Sequence, residues 1–226
     1  MGIAHNIKVI KERIHNAALR SGRSPQDIQL VAVTKHVPAE RVREALLAGV
    51  GDLGENRVQE GLSKMAFLEE YHPKWHLIGS LQTNKVRQTV PAFALIHSLD
   101  RWRLAEALAL WGEELQTVIP VLIEVNVSGE ASKHGMSPAE LPDFLDAICN
   151  LHYLKPRGLM TMAPYVENPE ETRPVFRELK SLLKTMAETR DLGPEWKELS
   201  MGMSNDYEVA VEEGATFVRV GTAIFS

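Results

Sequence analysis

Short apolar runs alternate along the whole chain with longer stretches in which apolar residues recur every three to four positions. The first kind suits buried strands and the second suits helices with one apolar face. Gln29-Leu-Val-Ala-Val-Thr-Lys35 reads as the first strand; Pro38 then suits the first turn of a helix to Ala48, with Gly49 as its stop. Further strands are expected near Gly51–Gly54, Trp75–Ile78, Phe93–His97, Val118–Val127, Leu154–Met160, Glu198–Met201 and Thr216–Val220. Between them the pattern predicts helices over Val58–Glu69, Asn84–Val90, Trp102–Leu115 (capped by Asp100) and Asn205–Glu213. The capping box Ser137-Pro-Ala-Glu140 should open a helix to about Asn150, and Asn168-Pro-Glu-Glu171 a long one to about Arg190. An amphipathic helix over Met1–Arg20, with Ile3, Ile7, Ile10 and Ile14 on one face, precedes the first strand.

Regular alternation of strands and helices implies a parallel sheet covered by helices. Eight such units in 226 residues fit a closed (β/α)8 TIM barrel better than an open sheet. The expectation is therefore a single α/β domain over 1–226 with one added N-terminal helix. No Pro/Gly/Ser-rich linker or low-complexity segment divides it.

Composition narrows the function. The chain is 44% hydrophobic and 24% charged, an ordinary globular balance. Lys plus Arg number 25 against 30 Asp plus Glu, a net charge of -5, which argues against a nucleic-acid partner or attachment to an anionic membrane. No apolar run approaches the ~18 residues of a membrane span, and the N-terminus lacks the unbroken apolar stretch of a signal peptide. The single cysteine, Cys149, excludes an internal disulfide and thiolate zinc patterns, and makes the cytoplasm the default compartment. Cys149 itself reads most simply as a small buried apolar residue.

In a barrel of this kind the active site lies where strands end. Strand alternation puts Val31, Val33 and Lys35 on one face, so Lys35 stands at the rim. A rim amine that is partly desolvated can form a Schiff base; the plainer reading is a surface lysine whose stem lies over the rim. Asn56 and Asn84, at strand-to-helix junctions, suit either ligand contact or helix capping. His76, within an apolar strand, reads as a satisfied core histidine rather than a metal ligand, and His134, in the Ser128–Gly135 loop, as a solvated one. The segments Ser200-Met-Gly-Met-Ser204-Asn-Asp206 and Arg219-Val-Gly221-Thr222 follow the seventh and eighth strands, where barrels often bind phosphate through glycines, hydroxyls and free N–H groups. Turn glycines and a capped helix are the alternative. Met160, Met162, Met201 and Met203 read as barrel filling. Together these positions suit a phosphorylated aldehyde, with its phosphate at the last two loops and its carbonyl at Lys35. Arg219 would then disfavour protonation of a ring nitrogen beside it.

Ala32-Val-Thr-Lys35, Gly54-Glu-Asn56, Trp75-His-Leu-Ile-Gly-Ser-Leu-Gln-Thr-Asn-Lys85, Gly158-Leu-Met-Thr-Met162, Ser200-Met-Gly-Met-Ser-Asn-Asp206 and Val218-Arg-Val-Gly-Thr-Ala-Ile-Phe225 resemble the pyridoxal phosphate homeostasis proteins, nearly end to end. The resemblance implies a single barrel similar to the N-terminal domain of alanine racemase, with pyridoxal 5′-phosphate held as an aldimine on Lys35. It maps the phosphate loops onto Ser200, Met201, Gly202, Ser204, Gly221 and Thr222, the ring-nitrogen arginine onto Arg219, and a cofactor-side loop onto Asn56. Ser226 departs from the glycine that often follows Ile-Phe, beyond the phosphate residues. The family implies a protein that buffers and delivers the cofactor, supporting vitamin B6 and amino-acid balance without robust turnover, acting as a monomer and serving apo-enzymes as partners. Two features agree: no second domain is expected to supply a further base, and Arg219 weakens the electron sink that carbanion chemistry uses. The competing expectations are a one-domain racemase using the same cofactor, an aldolase-like barrel acting on a sugar phosphate, and an interaction module signalled by the cofactor.

Overall fold

In a computed structural model of the chain, residues 2–130 and 133–226 are described; Met1, and Ala131 and Ser132 of the Ser128–Gly135 loop, lie outside them. Eight strands close into one parallel barrel in sequential order. They are β1 (Gln29–Val33), β2 (Asp52–Glu55), β3 (Lys74–Leu77), β4 (Leu95–Leu99), β5 (Ile119–Glu124), β6 (Leu154–Met160), β7 (Glu198–Ser200) and β8 (Phe217–Val220). The barrel closes where β1 pairs with β8, with Val31 opposite Arg219. Around it run α1 (Ile3–Arg20), α2 (Ala39–Leu47), α3 (Val58–Leu68), α4 (Val86–Thr89), α5 (Trp102–Glu114), α6 (Leu141–Ile148), α7 (Arg173–Thr189), α8 (Tyr207–Glu213) and α9 (Thr222–Phe225). This is the (β/α)8 barrel that the sequence pattern predicts, preceded by its added helix.

Two-residue alternation in each strand divides the core into two layers. Ala32, Leu53, Leu77, Ile96, Val121, Ile123, Leu159, Leu199 and Val218 pack outward beneath the helices. Val31, Leu95, Leu122, Met160 and Phe217 point inward and fill the middle of the barrel. Two residues further along their strands, His97, Glu124 and Arg219 point the same way, so a buried polar tier lies above the apolar one. The rings of His76 and His97 stand edge-on to Phe217, centroids 5.5 Å away in each case.

Helix α1 buries Ile3, Ile7, Ile10 and Ile14 on the predicted stripe. It packs against α8, α9 and α2. Asn6 Nδ2 donates to the Ile224 carbonyl (3.0 Å), tying α1 to the last turn of the chain. Arg13 and Arg20 pair with Glu208 and Glu212, but these arginines are more than half exposed, so burial of the isoleucine stripe holds the helix.

Several local expectations are corrected. The first strand ends at Val33, so Lys35 sits in the following turn. Asp100 does not cap α5: its N-cap is Arg101, to which the Asp100 carboxylate is paired. Glu140 Oε2 accepts from the Ser137 N–H (2.8 Å), but the Ser137 hydroxyl donates to that same carboxylate oxygen (2.6 Å) instead of accepting from the Glu140 N–H, so the box is half formed and α6 begins only at Leu141. Asn56 and Asn84 cap no helix. Cys149 is exposed, because α6 buries Leu141, Leu145 and Ile148 and the next residue falls at the edge of that stripe.

Candidate cofactor site at the strand ends

A cleft of about 480 Å³ opens at the C-terminal ends of the strands. Lys35, Asn56, Ser204, Arg219, Gly221 and Thr222 all line it, although 187 positions separate the first from the last in sequence. Closure of β1 onto β8 brings them together: the Lys35 turn and the Gly221 loop leave neighbouring strands. Gly221 lies so close to β1 that an added Cβ would stand 3.1 Å from the Val33 carbonyl oxygen.

Lys35 is exposed at the cleft mouth rather than desolvated against its strand, because the backbone turns at Thr34 and His36 takes a left-handed conformation (φ 60°). A buried ionic cluster anchors that turn. Lys64 Nζ donates to the Thr34 carbonyl and to Glu55 Oε1, each at 2.6 Å, and Thr34 Oγ1 donates to the same carboxylate oxygen. Glu55 is fully buried, and its Oε2 has no hydrogen-bond partner among the described residues. The motif Gly54-Glu-Asn56 thus splits: Asn56 faces the cleft and Glu55 supports the Lys35 turn from behind.

Ser200, Met201 and Gly202 do not line the cleft, which corrects their expected placement. Ser200 ends β7 and points into the barrel, while Met201 packs beneath the helices. Gly202 makes the turn (φ 89°) that lets the chain leave the barrel; an added Cβ would stand 2.5 Å from Ala210 Cβ. Only beyond it do Met203 and Ser204 reach the cleft. The Ser204 hydroxyl accepts from the backbone N–H groups of Gly221 and Ala223, both at 3.3 Å. These N–H groups, at the start of α9, converge on one oxygen position, as an anion site requires.

Arg219 forms the floor. Its guanidinium donates to Ser200 Oγ (2.5 Å) and to the Thr161 carbonyl (2.9 Å). Burial pushes its pKa down to about 10, opposed by the charges of Glu124 and Asp206, so it is cationic at neutral pH. Asp206, also at the cleft, accepts from the Met203 N–H (2.6 Å), and burial pushes its carboxyl up. Burial pushes Glu124 up to about 7, reinforced by Asp100 and opposed by Arg219. Glu124 belongs to an adjoining recess of about 750 Å³ that shares Asn56, Ile78 and Met162 with the first and carries the exposed His134 on its wall.

The sequence pattern did not mark Arg41, Tyr165, Pro164 or Phe225 as cleft residues. Arg41 joins α2 to the chain end by donating to the Phe225 carbonyl, and Tyr165 is 86% exposed at the mouth. Met162 and Met203 are cleft walls rather than barrel filling, whereas Met160 does fill the barrel. A signal for Tyr165 existed in principle, since a tyrosine beside a proline just past a strand end falls in a mouth loop.

Fold and cleft together define a closed (β/α)8 barrel with a lysine, a buried guanidinium and converging backbone N–H groups at its strand ends. The family model of the alanine racemase N-terminal domain matches residues 2–226. The chain is 44% identical to the pyridoxal phosphate homeostasis protein of Aquifex aeolicus (100% of this chain, 98% of that one) and 40% identical to that of Escherichia coli K12 (99% and 95%). It belongs to the pyridoxal phosphate homeostasis protein family. Among solved structures it is similar to PipY of Synechococcus elongatus PCC7942, solved with PLP bound (TM-score 0.83, 39% identity, 96% of this chain and 100% of that one). Alanine racemase of Clostridium difficile shares the fold (TM-score 0.74) at 13% identity over 99% of this chain and 58% of that one.

Proposed function

We propose that this protein binds pyridoxal 5′-phosphate in the strand-end cleft, with Lys35 as covalent anchor, and stores and passes on the cofactor rather than turning over a substrate. The observation that carries this is the convergence of one free amine, one buried guanidinium and an N–H cradle on a single cleft of about 480 Å³. When bound, the cofactor supplies an aldehyde for capture by an amine, together with a phosphate dianion. The donors fit both ends: Lys35 Nζ serves the aldehyde, and Ser204 with the Gly221 and Ala223 N–H groups and Thr222 serves the phosphate. Ser200, Met201 and Gly202 act from behind, through Arg219 and the turn at Gly202. Asn56 flanks the ring from the β2 side.

Arg219 supports the non-catalytic reading. A cation at the cleft floor donates to a ring nitrogen and disfavours its protonation, which weakens the electron withdrawal that α-carbon chemistry needs. The relatives' names, and PLP in PipY, support the same cofactor here. We place the protein in the cytoplasm as a monomer that hands its cofactor to apo-enzymes; no helix among the described residues is long and apolar enough to cross a membrane.

The test is spectroscopic. Protein mixed with cofactor should show a visible band that borohydride bleaches, leaving a mass increment on the Lys35 peptide, and Lys35→Ala should lose it. A colourless protein with no reducible adduct would overturn the assignment. Sustained deuterium exchange at the α-carbon of alanine, at enzyme-like rates, would instead favour a racemase.

A further inference from the structure

A string of buried polar side chains runs through the barrel away from Arg219. Arg219 Nη1 lies 2.5 Å from Ser200 Oγ, Ser200 Oγ lies 2.8 Å from His97 Nδ1, His97 Nε2 lies 2.9 Å from His76 Nδ1, and His76 Nε2 lies 3.0 Å from Asp52 Oδ1. Ser200 and His97 are fully buried, and His76 is 3% exposed. Asp52 opens β2, so it sits at the N-terminal rim of the barrel, opposite the cleft, with 19% of its side chain exposed. Five strands contribute one residue each, from positions scattered between 52 and 219.

The direction of every bond follows from chemistry. A guanidinium only donates, so Ser200 Oγ accepts from Arg219. The Ser200 hydroxyl has one hydrogen, and His97 Nδ1 is its acceptor. His97 is held well below the ordinary imidazole range, by burial first and then by His76 and Arg219, so it is neutral. With Nδ1 accepting, its proton sits on Nε2 and is donated to His76 Nδ1. The remaining His76 proton is then on Nε2 and is donated to the Asp52 carboxylate. The donors all point from the cleft floor to the far rim; running the string the other way would need a proton on both nitrogens of His76 and would leave the Ser200 hydrogen with no acceptor among the described residues.

We infer that Asp52, His76, His97 and Ser200 are positioning residues which hold Arg219 in its orientation at the cofactor site through this one-way string. The inference rests on Arg219 being the ring-nitrogen partner. It gives Asp52, which touches nothing in the cleft, a part in cofactor binding. Ser200 fixes one arm of the guanidinium and the Thr161 carbonyl the other. The string keeps the Ser200 hydrogen turned toward His97, so that its lone pair stays available to Arg219. A carboxylate at the far end selects the His76 tautomer, which selects that of His97.

Two measurements test it. Long-range proton–nitrogen NMR of the cofactor-free protein should show His76 and His97 each carrying a proton on Nε2 with Nδ1 as acceptor; a proton on Nδ1 of either ring would overturn the string. Cofactor affinity should then be titrated through the visible band in Asp52→Leu, Asp52→Asn and Ser200→Ala. Asp52→Asn keeps an acceptor oxygen and should stay within about 2-fold of the native Kd, whereas Asp52→Leu and Ser200→Ala should weaken binding by roughly 3- to 10-fold, the effect of one buried hydrogen bond. Asp52→Leu that loses thermal stability but keeps the native Kd would reduce the string to a structural role and overturn the positioning claim. Native protein that binds no cofactor would overturn the cofactor reading, while the NMR measurement still judges the string.

Discussion

Replacing Glu124 with Gln should stabilise the protein at neutral and alkaline pH and leave it unchanged in acid. Glu124 ends β5 inside the barrel mouth and is 3% exposed. Its carboxyl is pushed from an ordinary 4.5 up to about 7, by burial first, then by Asp100, against the pull of Arg219. The folded state therefore holds this proton more tightly than the unfolded chain does. The stability it contributes is fully present below about pH 4.5 and is lost as pH rises through 7. A gap of about 2.5 in pKa, at about 1.4 kcal/mol each, gives a contribution of ~3 kcal/mol. Gln has nearly the shape of the protonated acid and no titration. Glu124→Gln should therefore match the native protein near pH 4.5 and exceed it by up to ~3 kcal/mol above pH 8. The assay is urea unfolding of both cofactor-free proteins from pH 4.5 to 9, read as the difference between them, which cancels the other titrating groups. A difference that stays flat across that range would refute the argument. So would one that grows toward acid.

Three further outcomes follow from local geometry. Lys64→Met leaves the buried Glu55 carboxylate without its cation and should cost ~3–5 kcal/mol in chemical denaturation; adding Glu55→Leu should recover most of it. Ser204→Asp puts like charge where the Gly221 and Ala223 N–H groups converge and should weaken cofactor retention, with unchanged affinity in a release titration counting against the phosphate placement. Gly79→Ala would set a Cβ 2.3 Å from the Asn56 carbonyl oxygen, so the backbone must shift; unfolding should show a loss above ~2 kcal/mol, and a neutral result would mean the two loops are freer than they look.

The architecture was legible because a parallel barrel writes its layers into each strand. Leu154–Met160 was readable to the residue, and all eight strands and the long helices overlap their expected positions. What the pattern missed has physical causes. Helix α9 is one turn long, too short to show a period. Only half of the Ser137 box forms, because the Ser137 hydroxyl goes to the Glu140 carboxylate rather than to the Glu140 N–H, and the helix waits for Leu141. Cys149 is the C-cap of α6, about 100° round from Ile148 and about 40° beyond Leu145, so it falls at the edge of the buried stripe. Met160 and Met162 share a chain direction but not a depth: one is inside the barrel and the other has passed its rim.

The candidate site divides along the same line. Lys35, Ser204, Arg219, Gly221 and Thr222 were legible as cleft residues because each lies at or shortly beyond the C-terminal end of a strand, where this fold places its sites. The buried string behind Arg219 was not, because its members lie at ordinary interior positions of five strands and become partners only through register and the closure of the barrel. His76 read as a core histidine, and it is one, hydrogen-bonded through both ring nitrogens. What single-residue reading lacks is the direction of those bonds. The net charge of -5 argued against anionic partners of the whole surface, yet it does not bear on one phosphate. At the cleft the field is set by local donors: a guanidinium still cationic with a pKa near 10, and N–H groups that carry no formal charge. An acidic protein can thus hold an anionic ligand without a basic face, because the charge that matters lies within hydrogen-bond reach rather than within the protein's total.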